Sequence, residues 1–142
     1  MKLTQNFTLN ELVYSATAEA NKIDNRPSVP VISNLQALCT NVLQPLRDAL
    51  GCPIIITSGF RCAELNKRIG GAANSGHLTG RCADIHVNGM SAKDLYNFIK
   101  KSGVKYRQCI LENNSWVHVD YQKDDLKCEN LIYDGKSYVL DK

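Results

Sequence analysis

Three side chains in this sequence have the types and surroundings to hold a metal ion: His77, Asp84 and His118. His77 lies in Ser75-Gly76-His77-Leu78-Thr79-Gly80, where the glycines leave room for close approach to an ion. Asp84 follows in the alternating stretch Cys82-Ala83-Asp84-Ile85-His86-Val87. A carboxylate on such a strand needs a partner, because burying it alone is costly. His118 sits mid-strand in Trp116-Val117-His118-Val119-Asp120. Two imidazoles and one carboxylate form a set that zinc accepts, with a fourth position left for water. On the residues alone other readings stay open. Asp84 could pair with Arg61 or Arg81, and His86, which shares its strand face, could take the place of His77.

A candidate general base comes from the chain just before His118. Stretches 108–112 and 116–121 read as two strands joined by Asn113-Asn114-Ser115, a hairpin signal. A three-residue loop pairs Glu112 with Trp116 and Ile110 with His118. Glu112 and His118 are then diagonal neighbours on one face, roughly 7–8 Å apart at the backbone. A carboxylate at that offset could reach a water at the metal, which is where a general base belongs. A two-residue loop would reverse the parity and turn Glu112 away. Trp116 reads either as a core residue or as a platform for substrate.

The positioning elements are legible from periodicity and capping. Thr8-Leu9-Asn10-Glu11 is a capping box with Phe7 and Leu12 at its staple positions, so a short helix is predicted over 9–14. Residues 19–30 carry Pro27 and Pro30 and read as a loop. Leu35, Leu38, Cys39, Val42, Leu43 and Leu46 recur at helical spacing and predict a helix over 31–50, with Pro45 kinking it or marking a weak turn. A buried strand is expected over 53–57 and a short helix over 62–69. The stretch 82–87 alternates, with Cys82, Asp84 and His86 facing one way and Ala83, Ile85 and Val87 the other. Ser91 and Asp94 open another amphipathic helix, which Gly103 ends. The tail 125–142 adds a possible further hairpin through Asp134-Gly135. The expected architecture is α+β, with helices packed on a small antiparallel sheet in a single domain spanning 1–142 and a motif-bearing core at 53–121.

Composition narrows the alternatives. At 44% hydrophobic and 22% charged, the 142-residue chain is neither disordered nor fibrous. A net charge of +3 is too mild for a dedicated nucleic-acid binder. No apolar run approaches the about 20 residues of a membrane span. The six cysteines include no Cys-x-x-Cys pair, so they read as reduced, small hydrophobes, and a thiolate metal site has no support. Met1-Lys2-Leu3-Thr4-Gln5-Asn6-Phe7 has no signal-peptide apolar core, so synthesis in the cytoplasm is expected.

Several motifs occur in a telling order: Ser58-Gly59-Phe60-Arg61, Leu65-Asn66, Gly70-Gly71-Ala72, Ser75-Gly76-His77-Leu78-Thr79-Gly80, Ala83-Asp84-Ile85 and Trp116-Val117-His118-Val119. This series closely resembles the zinc D-Ala-D-Ala carboxypeptidase family of murein peptidases, over about residues 7–121. The resemblance implies Zn²⁺ held by His77, Asp84 and His118. It implies that Arg61 contacts the substrate and polarises its carbonyl, and that Ser75 and Gly80 shape the ligand loop. Glu112 corresponds to the catalytic carboxylate, at the end of the strand before the last histidine. Some branches place the acid three residues before that histidine, where this chain has Ser115, and Asp120 is the runner-up base. Substrate contacts are expected from Arg61, Ser75 and Trp116. The implied activity is hydrolysis of peptidoglycan stem peptides by a monomer, as a carboxypeptidase or an endopeptidase, acting at the cell wall or periplasm and suiting a phage endolysin. Hedgehog-type domains share the ligand pattern, so a non-catalytic zinc-binding recognition module is the alternative, followed by a metal-free structural domain.

Overall fold

The computed structural model describes residues 1–141. A small hairpin, β1 (Lys2–Thr4) and β2 (Phe7–Thr8), leads into α1 (Leu9–Val13). The capping box forms as expected: Thr8 Oγ1 accepts from Glu11 N at 3.3 Å, and Thr8 N donates to Glu11 Oε1 at 3.0 Å. A short helix not expected from the sequence, α2 (Ala16–Ala20), runs into the start of the stretch 19–30 expected to be a loop, and Ser15 caps it by accepting from Ala18 N at 3.1 Å.

A long helical run follows, comprising α3 (Val29–Leu38), a π-helical turn (Cys39–Leu43) and α4 (Gln44–Leu50). The turn answers Pro45. Proline has no N–H and its ring crowds the carbonyl four residues back. Widening the preceding turn, so that Gln44 N donates to Cys39 O, lets the helix continue through the proline. The remaining elements are β3 (Ile55–Ser58), α5 (Ala63–Ile69), a 3₁₀ turn (Gly76–Thr79), β4 (Cys82–His86) and α6 (Ala92–Lys101). The chain then forms β5 (Gln108–Glu112), β6 (Trp116–Asp120), β7 (Glu129–Tyr133) and β8 (Tyr138–Leu140).

The fold is α+β, but its main sheet is not small and antiparallel. It has six strands in the order β3-β4-β6-β5-β7-β8, and β5 and β7 run parallel. Both edges of β6 are occupied, by β4 and by β5. β7 must therefore use the free edge of β5. β6 ends with Asp120 opposite Gln108, at the start of β5, so a short connection returns Glu129 to that same end and β7 runs with β5.

Strand alternation gives the sheet two different faces. Ala83 and Ile85 of β4, Cys109 and Leu111 of β5, and Val117 and Val119 of β6 are buried in one core with Leu35, Leu38, Leu43 and Leu46 of the long helical run and Leu95 and Ile99 of α6. The opposite face carries Asp84, His118, Ile110 and Glu112. The core thus fixes the strands that present the chemistry.

All six cysteines are free thiols, three of them buried. A reducing agent is therefore expected to leave Tm unchanged, and a fall of several degrees on reduction would reveal a cross-link.

Candidate metal centre

His77 is set by the 3₁₀ turn that carries it. Ser75 caps this turn, its hydroxyl accepting from His77 N at 3.2 Å, and Gly80 closes it with φ +76°. A side chain on Gly80 would meet Val31 at 2.9 Å, so the turn sits directly against α3. The His77 ring is buried, and its Nδ1 lies 2.7 Å from Gly59 O. A carbonyl only accepts, so Nδ1 carries the proton and Nε2 faces inward. Gly59 is itself pressed against α1. A Cβ there would lie 2.1 Å from Leu12 O, and Phe60 N donates to that same oxygen at 2.7 Å.

Asp84 stands between the two histidines. Its Oδ2 is 3.4 Å from His77 Nε2 and its Oδ1 is 2.8 Å from His118 Nδ1. Its ionic partners are thus the imidazoles and not Arg61 or Arg81. Asp84 and His118 are direct partners across β4 and β6, and the two rings meet edge-on with centroids 5.3 Å apart. His86 pairs with Ile55 on the outer side of β4 and does not join the cluster.

Electrostatics tie the three groups together. Burial alone would raise the Asp84 pKa, but hydrogen bonds from His118 and His77 outweigh it and hold the carboxyl well below the usual range. Burial likewise opposes protonation of His77, yet bonding to Asp84 and Cys82 lifts it to about 9. Without a metal, the imidazoles hold protons beside a carboxylate, and a divalent cation offers the same charge compensation. Two imidazoles and a carboxylate converging within a few ångströms fit zinc.

Cys82 is a donor that the sequence reading set aside. Its Sγ lies with one nitrogen each of His77 and His118 in a group whose members are all within 4.8 Å of one another. Burial opposes its ionisation, but the adjacent His118 and His77 draw the thiol below its ordinary range. The available signal was its position two residues before Asp84 on an alternating strand. It is fully buried beneath the turn, where a Cβ on Gly76 would lie 3.2 Å from Sγ, whereas Asp84 reaches a cavity. Of these two donors, Asp84 is the one that borders a cavity.

The hairpin has the register expected of its three-residue loop, with Glu112 opposite Trp116 and Ile110 opposite His118. Asn113 and Asn114 take left-handed conformations, φ 52° and 54°, which asparagine tolerates better than most residues. Glu112 and His118 line one cavity of about 480 Å³ with Ser75. Burial, the largest influence on Glu112, raises its pKa, as suits a proton acceptor and donor. Asp120 differs: its oxygens take Arg107 at 2.8 Å and Gln108 N at 2.8 Å. That double engagement favours Glu112 over Asp120 as the base.

Arg61 borders a second cavity of about 410 Å³ that also touches Asp84. Its backbone N donates to His77 O at 3.0 Å, and its buried Nε has no hydrogen-bond partner among the described residues. A buried donor without an acceptor is costly, and a bound oxygen would satisfy it. Trp116, expected as a substrate contact, pairs with Glu112 across the hairpin and is 37% exposed, but it is not among the residues lining either cavity.

A model of the family described as peptidase M15 matches residues 5–120. The zinc D-Ala-D-Ala carboxypeptidase of Streptomyces albus G is 46% identical over 44 residues, a stretch that makes up 30% of this chain and 17% of that relative. The match thus spans far less than two thirds of the relative's length. The family match takes in Arg61, His77, Asp84, Glu112 and His118 and ends before β7 and β8.

Proposed function

The chain belongs to the peptidase M15 family, and from that premise we propose that it is a zinc-dependent peptidase hydrolysing peptide bonds in peptidoglycan stem peptides. The observation that carries this reading is the convergence of His77, Asp84 and His118 beside a cavity that Glu112 lines. Zinc, when bound by these three residues, supplies a Lewis acid and lowers the pKa of water. Glu112 accepts the proton as the water oxygen bonds to the scissile carbonyl carbon. It returns that proton to the amine nitrogen as the C–N bond breaks. Gly59 O keeps His77 in the tautomer whose Nε2 faces the site. The guanidinium of Arg61 offers its donors to a substrate carbonyl or carboxylate oxygen. No helix among the described residues is long and apolar enough to cross a membrane, and the proposed place of action is the cell wall, in a lytic role.

Digestion of purified muropeptides with mass analysis of the products tests this function. New fragments differing by one hydrolysed peptide bond are expected, and unchanged masses would contradict it. Arg61→Lys separates the two substrate modes. A guanidinium holds a terminal carboxylate by two parallel hydrogen bonds that an ammonium cannot reproduce. For a carboxypeptidase the substitution raises KM and erases the preference for free termini. For an endopeptidase, which the lytic role favours, it lowers kcat through weaker stabilisation of the developing oxyanion.

A further inference from the structure

The C-terminal hairpin lies outside the family match, yet the sheet topology brings it to the site. Ile110 pairs with His118 on one side and Leu131 on the other, and Leu131 pairs with Leu140. Glu112 likewise pairs with Trp116 and Tyr133, and Tyr133 pairs with Tyr138. Directly paired residues share a face. The strip bearing His118 and Glu112 therefore continues across β7 and β8 as Leu131, Leu140, Tyr133 and Tyr138.

This extension is firmly anchored. Tyr96 Oη and Lys100 Nζ of α6 both donate to Asp141 Oδ2 at 2.7 Å, Asn113 N donates to Tyr133 O at 2.7 Å, and Asp141 N donates to Asn130 O at 2.8 Å. The Asp134 carboxylate closes the loop by accepting from Lys136 N and Ser137 N at 2.8 and 2.9 Å. Tyr138 is 56% exposed, but its ring lies against Tyr133 with centroids 4.5 Å apart.

We propose that Tyr138 and Leu131 form a substrate subsite that receives an uncharged aliphatic side chain next to the scissile bond. The proposal rests on the peptidase reading. Both residues line the same cavity as Glu112 and His118, together with Ile110, Ser75 and Gly76. Two charged residues in its lining, Arg107 and Asp120, neutralise each other at 2.8 Å. Apart from Glu112 and the metal centre at His118, the described residues lining the cavity thus offer no free carboxylate or cation for a charged side chain to pair with. Its apolar Ile110 and Leu131 and a phenol held against Tyr133 suit an uncharged aliphatic group, with little ordering required on binding.

The test compares wild type and Tyr138→Ala, both zinc-loaded, on stem peptides carrying alanine or glycine next to the cleaved bond. Tyr138 is exposed, so its replacement spares the core. The variant should show KM raised about tenfold, as for loss of a hydrophobic pocket contact, with kcat and zinc content unchanged. The wild-type preference for alanine should vanish. Leu131→Ser should show the same loss of preference. Unchanged KM and unchanged preference in both variants, with an active wild type, would overturn the subsite alone. A wild type that turns over neither peptide would overturn the peptidase reading and the subsite with it.

Discussion

Glu112→Gln is expected to lower kcat by about 10²–10⁴-fold, the usual contribution of a positioned general base. The amide keeps the size of the carboxylate but cannot take a proton. KM and zinc content should therefore stay close to wild type, which assigns the loss to the transition state. Burial raises the Glu112 pKa, so the acid limb of the wild-type profile should be shifted upward relative to a solvent-exposed glutamate. Asp120→Asn serves as the contrast. Asp120 is tied to Arg107 and Gln108, so its replacement should lower Tm before it changes the shape of that profile. Steady-state kinetics on one stem peptide measure both, and wild-type kcat in Glu112→Gln would remove Glu112 from the mechanism.

His118→Ala is expected to abolish stoichiometric zinc. Wild type should hold about one zinc per chain, because one such ligand set is present. The substitution removes a proposed ligand and also the hydrogen bond that holds Asp84 Oδ1 at 2.8 Å. Zinc must displace protons from the imidazoles. Burial opposes His77 protonation, but Asp84 and Cys82 raise its pKa to about 9. Protonated His77 and ionised Asp84 stabilise the metal-free fold below the imidazole range, and that contribution is lost as pH rises through about 9. Apparent zinc affinity should therefore climb with pH over the same range. Metal analysis of dialysed proteins checks the stoichiometry, and titration calorimetry in buffers of different ionisation enthalpy checks the proton release. Equal zinc in wild type and His118→Ala would refute the assignment.

Local chemistry made much of this site readable in the sequence. His77 stands out by its glycine neighbours, and Asp84 by being charged on an otherwise small and apolar strand. The position of Glu112 follows from counting Asn113-Asn114-Ser115 as a three-residue loop, since the period of two then fixes its face. What the sequence hid depends on long-range pairing. Parallel pairing of β7 with β5 follows from both edges of β6 being occupied, which no local pattern encodes. The π-helical turn before Pro45 is visible only once the packing of Val42, Leu43 and Leu46 holds the helix together through the proline. Choosing Glu112 over Asp120 required the partner of Arg107. Cys82 is not legible as a donor because it has no Cys-x-x-Cys partner; the groups beside its sulfur are histidines from neighbouring elements.

The proposed chemistry is hydrolysis of a peptide bond by these residues with zinc. It is tested most directly by following one purified stem peptide through chelation and metal return. The metal-stripped protein should be inactive while remaining folded, and one equivalent of zinc should restore turnover in wild type but not in His118→Ala. Equal hydrolysis before and after stripping, or full restoration in His118→Ala, would contradict it.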